Sequence, residues 1–167
     1  NGLLSAEASG QTLTLGMTAF VNGGTLAVNA GTLSVSPNST YSNTGTISVS
    51  GGTLNLDSTF TATSGIGTWN RTGGTVNVTG TINKIGSTFT LNNTTGSWNL
   101  LGGTISGGAV SIADGNTLVM TTTGGTLSNV AFGGDILLPA GTVVTLGGTT
   151  TFVAARLTGA STLRVAP

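Results

Sequence analysis

The chain has 167 residues, of which 29 are Gly and only 5% are charged, and its formal net charge is zero. Average domains carry about 7% Gly and about 25% charged residues, so small uncharged side chains dominate here. Four scattered cations cannot form a phosphate-binding surface, which argues against nucleic acid as a partner. The absence of Cys excludes a disulfide framework. No apolar run reaches the roughly 18 residues of a membrane span, and the length fits one domain, residues 1–167.

The predicted elements are short strands, and one recurring phrase marks them: Gly, then Thr, then an apolar, a small polar and often another apolar residue. Alternation of this kind has the period of a strand, so Leu, Ile and Val share one face while Thr, Ser and Asn share the other. The Gly before each phrase marks a corner. Full copies occupy residues 24–28, 31–35, 45–49, 52–56 and 74–78, and shorter copies begin at residues 80, 103, 125 and 141.

A longer repeat lies above this phrase. Residues 58–61, 67–70 and 73–75 return as 87–90, 96–99 and 102–104, an offset of 29 residues. An earlier copy, from residue 39 to 53, is offset by 22 at the Gly-Gly corner, as though residues 79–85 were an added strand. Periods of 20 to 50 residues indicate solenoids, propellers or arrays.

Two numbers of strands per turn are compatible with this repeat. A turn of about 29 residues would stack Phe60 near Phe89 and Trp69 near Trp98. Three strands per turn would instead give a shorter period, of about 22 residues, and different stacking partners. The sequence leaves both open.

A coil explains the pattern better than antiparallel hairpins, because the phrase keeps one polarity along the chain. Two-residue hairpins favour Asn-Gly or Asp-Gly, which occur at isolated places such as residues 22–23 and 114–115. Gly and β-branched residues also disfavour helices. The predicted fold is therefore all-β, a parallel β-helix.

Two phrases resemble the repeats of large bacterial surface and secreted proteins: Gly-Thr-Trp-Asn-Arg-Thr-Gly-Gly-Thr-Val-Asn-Val at residues 67–78 and Gly-Gly-Thr-Leu-Asn-Leu at residues 51–56. They are similar to the filamentous-haemagglutinin and autotransporter-passenger class, over most of the chain and most strongly from residue 32 to 128. The resemblance implies a right-handed parallel β-helix of about 20–30 residues per turn, in an extracellular or cell-surface protein. Because the chain starts and stops inside the repeat pattern, we expect a segment of a longer protein.

Catalysis on such a fold needs clustered carboxylates with a cation or a metal. The four acids, Glu7, Asp57, Asp114 and Asp135, lie far apart in the sequence, and His is absent. Asp57 and Arg71 could meet across a coil, as a surface ion pair rather than a site. Asp114 and Asp135 fit turns better than calcium sites, because a calcium-binding β-roll needs one Asp per turn. We therefore predict no catalytic, cofactor-binding or metal-binding residue, no cofactor and no enzymatic activity.

Two polar or aromatic features invite a binding interpretation. Exposed Trp69 or Trp98 could stack on sugars, but their strand phase places them inward, with Ile47 and Val76.

Glycosylation sequons arise by chance in a chain rich in Asn and Thr. The sequons begin at Asn38, Asn70, Asn77, Asn92 and Asn93.

Threonine columns offer a further alternative. Residues 12–14, 59–61 and 88–90 each read Thr-apolar-Thr, and residues 149–151 are all Thr. A regular hydroxyl array resembles the ice-binding faces of some β-solenoids. The simpler interpretation is that Thr is a good exposed strand residue, and the interruption of these columns by Ser, Asn and Ala favours it.

The predicted function is structural: a rod, spacer, adhesin or filament-forming repeat segment of an extracellular or cell-surface protein. Its predicted partners are neighbouring turns or copies of itself, associated end to end, with surface glycans as a second class. Neither residues 1–9 nor residues 162–167 form a recognisable cap. The alternative is a carbohydrate- or surface-binding module, which a line of exposed aromatic residues would distinguish.

Overall fold

The computed structural model describes residues 2–37, 40–61 and 66–167, and these residues contain β-strands and no helix. The first three turns contain β1 (Leu3–Ala6), β2 (Thr12–Leu15), β3 (Ala19–Asn22), β4 (Thr25–Val28), β5 (Thr32–Val35), β6 (Thr40–Asn43), β7 (Thr46–Val49), β8 (Thr53–Leu56) and β9 (Thr59–Thr61). The next three contain β10 (Thr68–Arg71), β11 (Thr75–Val78), β12 (Thr81–Asn83), β13 (Thr88–Leu91), β14 (Trp98–Leu100), β15 (Thr104–Ser106), β16 (Ala109–Ile112), β17 (Leu118–Met120) and β18 (Gly125–Ser128). The last strands are β19 (Ala131–Phe132), β20 (Asp135–Leu138), β21 (Val143–Gly147), β22 (Ala154–Leu157) and β23 (Thr162–Ala166).

Each turn of the coil contains three strands, and the strand pairings are parallel. β1, β4, β7 and β10 form one sheet that β13, β16 and β19 continue, and we call this the first face. The second face contains the sheet from β2 through β5, β8, β11 and β14 to β17, followed by the pair β20–β22. The third face contains the pair β3–β6 and then the sheet from β9 through β12, β15, β18 and β21 to β23. The chain is thus a parallel β-solenoid of about seven turns.

The length of a turn follows from the strand register. Thr53 pairs with Thr75 in the next turn, and the side chains of Asn55 and Asn77 in the same two strands are bonded across 22 residues. The pairing of Thr145 with Arg164 shows that the last turn is slightly shorter. This spacing selects the three-strand turn over the 29-residue turn. The added strand predicted for residues 79–85 is β12.

The 29-residue sequence repeat therefore spans four strands, one more than a turn, and its copies lie on neighbouring faces. Phe60 lies in β9 on the third face and Phe89 in β13 on the first face, so the two do not stack on one face as a 29-residue turn would require. Phe60 instead meets Tyr41 edge to face, with ring centroids 4.5 Å apart. Trp69 and Trp98 do contact each other, with ring centroids 4.7 Å apart, but they lie on adjacent faces rather than on successive turns of one face.

The core fills the interior of the coil with every second strand residue. Leu33, Leu54 and Val76 follow one another in register on the second face, and all three are completely buried. Burying each such side chain contributes about 1.5–3 kcal/mol relative to leaving it in water. The core cluster extends from Ala6 in the first turn to Leu146 in the seventh, so no single turn organises the rest.

Glycine corners allow the turns to stack closely. Gly52 has a φ of 60°, and a Cβ at this position would collide with the carbonyl oxygen of Gly31 in the turn before. Gly74 repeats the arrangement one turn later, with a φ of 65° and the carbonyl of Gly51 beneath it. Only Gly combines a left-handed backbone with the absence of a side chain.

Candidate functional site

The four acidic residues lie on different turns, each with its own partners. Asp57 accepts hydrogen bonds from the hydroxyls of Ser34 and Thr79. Asp114 Oδ2 accepts a hydrogen bond of 3.2 Å from the backbone N–H of Asn93. Glu7 accepts a long hydrogen bond of 3.5 Å from the side chain of Asn29. No group of three or more His, Cys, Asp or Glu side chains lies together in the described part of the chain.

Asp135 pairs with Arg156, whose Nε lies 2.9 Å from its Oδ2. The prediction that Asp135 is a turn residue is wrong, because it begins β20 and Arg156 follows two residues into the parallel neighbour β22. Asp114 is in a turn, as predicted, with a φ of 55°. Both partners of the Asp135–Arg156 pair are partly exposed, so we expect it to contribute less than about 1 kcal/mol.

Arg71 binds backbone carbonyls rather than Asp57. Its guanidinium donates to the carbonyls of Gly73 at 3.0 Å, Gly74 at 2.8 Å and Thr95 at 3.3 Å, and also to that of Ser97. Residues 92–97 follow β13 as a loop where the ladder of the first face stops between β10 and β13. Arg71 ties this loop to the preceding turn, and partial burial lowers the pKa of the guanidinium without threatening its charge.

The aromatic residues line the core rather than the surface. Trp69 and Trp98 are 6% and 1% exposed, as their strand phase predicts, and Phe20, Tyr41, Phe60, Phe89 and Phe132 are also buried. Burial raises the pKa of the Tyr41 phenol, so this group stays neutral. Phe152 is the most exposed aromatic side chain of the described residues, at 36%. The described surface thus presents no row of rings on which a glycan could stack.

Two asparagine ladders run along the rod. Inside one corner, Asn22 donates to the side-chain oxygen of Asn43 at 2.9 Å, and Asn43 donates in turn to the carbonyl of Ile66 at 3.4 Å. On the outside of the second face, Asn99 donates to Asn77 and Asn77 to Asn55, each at 2.9 Å. These hydrogen bonds link the side chains of successive turns.

The sequons differ in accessibility. Asn77 is buried and lies within the outer ladder, whereas Asn70 and Asn93 are exposed. The side-chain oxygen of Asn92 accepts hydrogen bonds from the backbone N–H groups of Thr94 and Thr95. These bonds hold the conformation of the loop after β13. Asn38 lies outside the described residues.

The Thr-apolar-Thr motifs do not form a common surface. Residues 12–14 lie on the second face, 59–61 on the third and 88–90 on the first, while residues 149–151 follow β21 outside the ladders except for one bridge from Thr151. A column forms instead from threonines that pair in register on successive turns. On the third face this column contains Thr59, Thr81, Thr104, Thr126 and Thr145 on five successive turns. The Gly-Thr phrase marks Thr81, Thr104 and Thr126 in the sequence, but their alignment depends on the number of strands per turn, which the sequence leaves open.

A shallow polar groove of about 370 Å³ lies between the second and third faces. Its walls are formed by Ser36, Pro37, Asp57, Ser58, Thr59, Gly80 and Thr81. Asp57 is its single charged group, and both of its oxygens already accept hydroxyl hydrogen bonds.

In the described part of the chain, no helix is long and apolar enough to cross a bilayer.

The fold and the surfaces together define the class as a parallel β-solenoid repeat. No protein-family profile matches the chain, and neither a curated protein nor a solved structure matches it. The geometry of the coil is therefore the basis for inferring its function.

Proposed function

We propose that this chain is a structural repeat segment of an extracellular or cell-surface protein, in which it acts as a rigid rod or spacer. The observation that supports this proposal is the strand register, which repeats from turn to turn along the three faces. The likeness of residues 51–56 and 67–78 to filamentous-haemagglutinin and autotransporter-passenger repeats favours the location and an adhesive or filamentous parent protein.

Because the turns stack regularly, the length of the rod is the property that would serve a spacer. Neighbouring strands of a sheet lie about 4.8 Å apart, so seven turns give a rod on the order of 35 Å. Each turn contacts only its neighbours, and adding turns extends the rod without a new core. Ladder bonds, such as Thr53 N–H to Gly31 O at 2.9 Å and Thr75 N–H to Gly52 O at 2.9 Å, recur at each step and resist bending.

Removal of one whole turn tests the spacer function. Thr104 and Thr126 occupy equivalent positions on successive turns, so deletion of residues 104–125 joins Gly103 to Thr126 and preserves the register. We expect the variant to remain β-structured by circular dichroism and to be shorter by about 4.8 Å in small-angle X-ray scattering.

The matched control deletes residues 104–114, which removes about half a turn. This deletion would bring the second face of one turn over the third face of the next and expose the core, so we expect it to unfold or aggregate. If both deletions were tolerated equally, or if the whole-turn deletion also unfolded, the coil would not act as a modular spacer.

The cellular location is tested separately. Antibodies against the loop at residues 92–97, in which Asn93 and Thr94 are exposed, should bind intact source cells or their culture medium. Binding only after lysis would contradict the extracellular part of the proposal and leave the spacer geometry untouched.

A further inference from the structure

The third face carries a regular hydroxyl array that a spacer does not require. Five threonines lie in register on successive turns: Thr59, Thr81, Thr104, Thr126 and Thr145. A second outward column accompanies them, in which Asn83, Ser106 and Ser128 are aligned. The face is therefore two polar columns wide over its middle turns.

The hydroxyls of the first column are available to a ligand. Within the described residues, none of these five threonines uses its side chain in a hydrogen bond to the protein. The second face also carries threonines in register, Thr12, Thr32, Thr53 and Thr75. It differs in the companion column, where the amides of Asn55, Asn77 and Asn99 bind one another and the hydroxyl of Ser34 binds Asp57.

The face is also free of charge over these turns. The columns contain no ionisable group until Arg164, which follows Thr145 in register. Lys84 lies at one edge, after Asn83, and Asp57 lies in the groove at the other edge, beside Thr59 and Thr81. Charged groups hold water in shells that do not fit a crystal lattice, whereas Thr offers one hydroxyl and one methyl group at each step.

We propose that the third face binds the surface of ice. The turns repeat about every 4.8 Å, close to the shortest lattice repeat of hexagonal ice, so successive hydroxyls can each bond a water of one lattice row. The ladder of the solenoid fixes the hydroxyls before binding, which lowers the ordering cost of a multipoint contact. This activity is additional to the proposed spacer function and independent of it.

Thermal hysteresis and ice-recrystallisation assays on the 167-residue chain test the proposal. We expect the native chain to separate freezing from melting and to slow recrystallisation. Thr104→Lys, in the middle of the column, should abolish most of the hysteresis by placing a hydrated charge against the lattice. A native chain without hysteresis or recrystallisation inhibition would overturn the proposal.

Thr53→Lys is the matched control. Thr53 also follows a Gly corner, is also half-buried, and lies in a column of the second face between Thr32 and Thr75. We expect it to leave the hysteresis unchanged, and equal losses in both variants with intact circular dichroism would overturn the assignment to the third face. If Thr104→Lys failed to fold, Thr126→Lys one turn further along would make the same test.

Discussion

Val76 and Thr75 are neighbours in β11 with opposite environments. Val76 is completely buried, whereas Thr75 faces outward and is half-buried. Val76→Asp would bury a charge without a partner, and we expect it to lower the free energy of unfolding by several kcal/mol. Thr75→Asp should cost much less. Chemical denaturation of both variants checks this, and equal effects would mean that the strand phase is wrong.

The corner glycines differ in what a side chain would meet. Gly52 and Gly115 both have positive φ, but a Cβ at Gly52 would collide with the Gly31 carbonyl while one at Gly115 would meet open space. We expect Gly115→Ala to cost about 1–2 kcal/mol from backbone strain alone. Gly52→Ala adds overpacking, for a total of about 2–5 kcal/mol. Thermal melts of the pair should separate the two terms, and identical melts would argue against tight stacking at the corner.

At the scale of the element, the two asparagine ladders differ in burial, and we expect them to stabilise the stack by different amounts. Asn43 is 2% exposed and bonds Asn22, Gly45 and Ile66. Asn43→Ala would remove these bonds where water cannot replace them, and we expect a loss of about 1–3 kcal/mol. Unfolding curves measure it directly.

Asn99→Ala is the control for the ladders. Asn99 is half-buried at the end of the outer ladder and donates one amide bond to Asn77. Water can replace that bond, so the expected loss is below about 1 kcal/mol. A larger effect for Asn99→Ala than for Asn43→Ala would show that the outer ladder is the principal one.

At the scale of the whole molecule, the isolated segment has an open strand edge at each end. β1, β2 and β3 pair on one side only, as do β22 and β23, and unpaired edges template further pairing. Apolar side chains are exposed beside both edges, with Leu3 at 64% and Val21 at 65% near the first and Val165 at 80% near the last. The chain has little charge to oppose stacking.

We therefore expect the purified 167-residue segment to associate end to end, with a sedimentation coefficient that rises with concentration. Val165→Lys should weaken the association by placing a charge in the contact. Val119→Lys, on the side of the rod where Val119 is 41% exposed, should have little effect. A monomer at every concentration would contradict the prediction.

Local chemistry by itself determined much of this protein. Alternation in segments such as residues 74–78 is a property of consecutive residues, so it predicts the strand, its inward face and the burial of Val76 and Trp69. The constant polarity of the Gly-Thr phrase likewise predicts parallel stacking, which the register confirms.

Only the tertiary structure decided which residues share a face. That assignment depends on the number of strands per turn, and the most visible sequence repeat spans four strands while a turn spans three. The choice is made by closure of the core and by corner hydrogen bonds such as Thr104 N–H to Gly80 O at 2.8 Å, which join residues of successive turns that are distant in the sequence. Because a one-strand error moves every side chain to the next face, the threonine column and the carbonyl partners of Arg71 emerge only once the coil is closed.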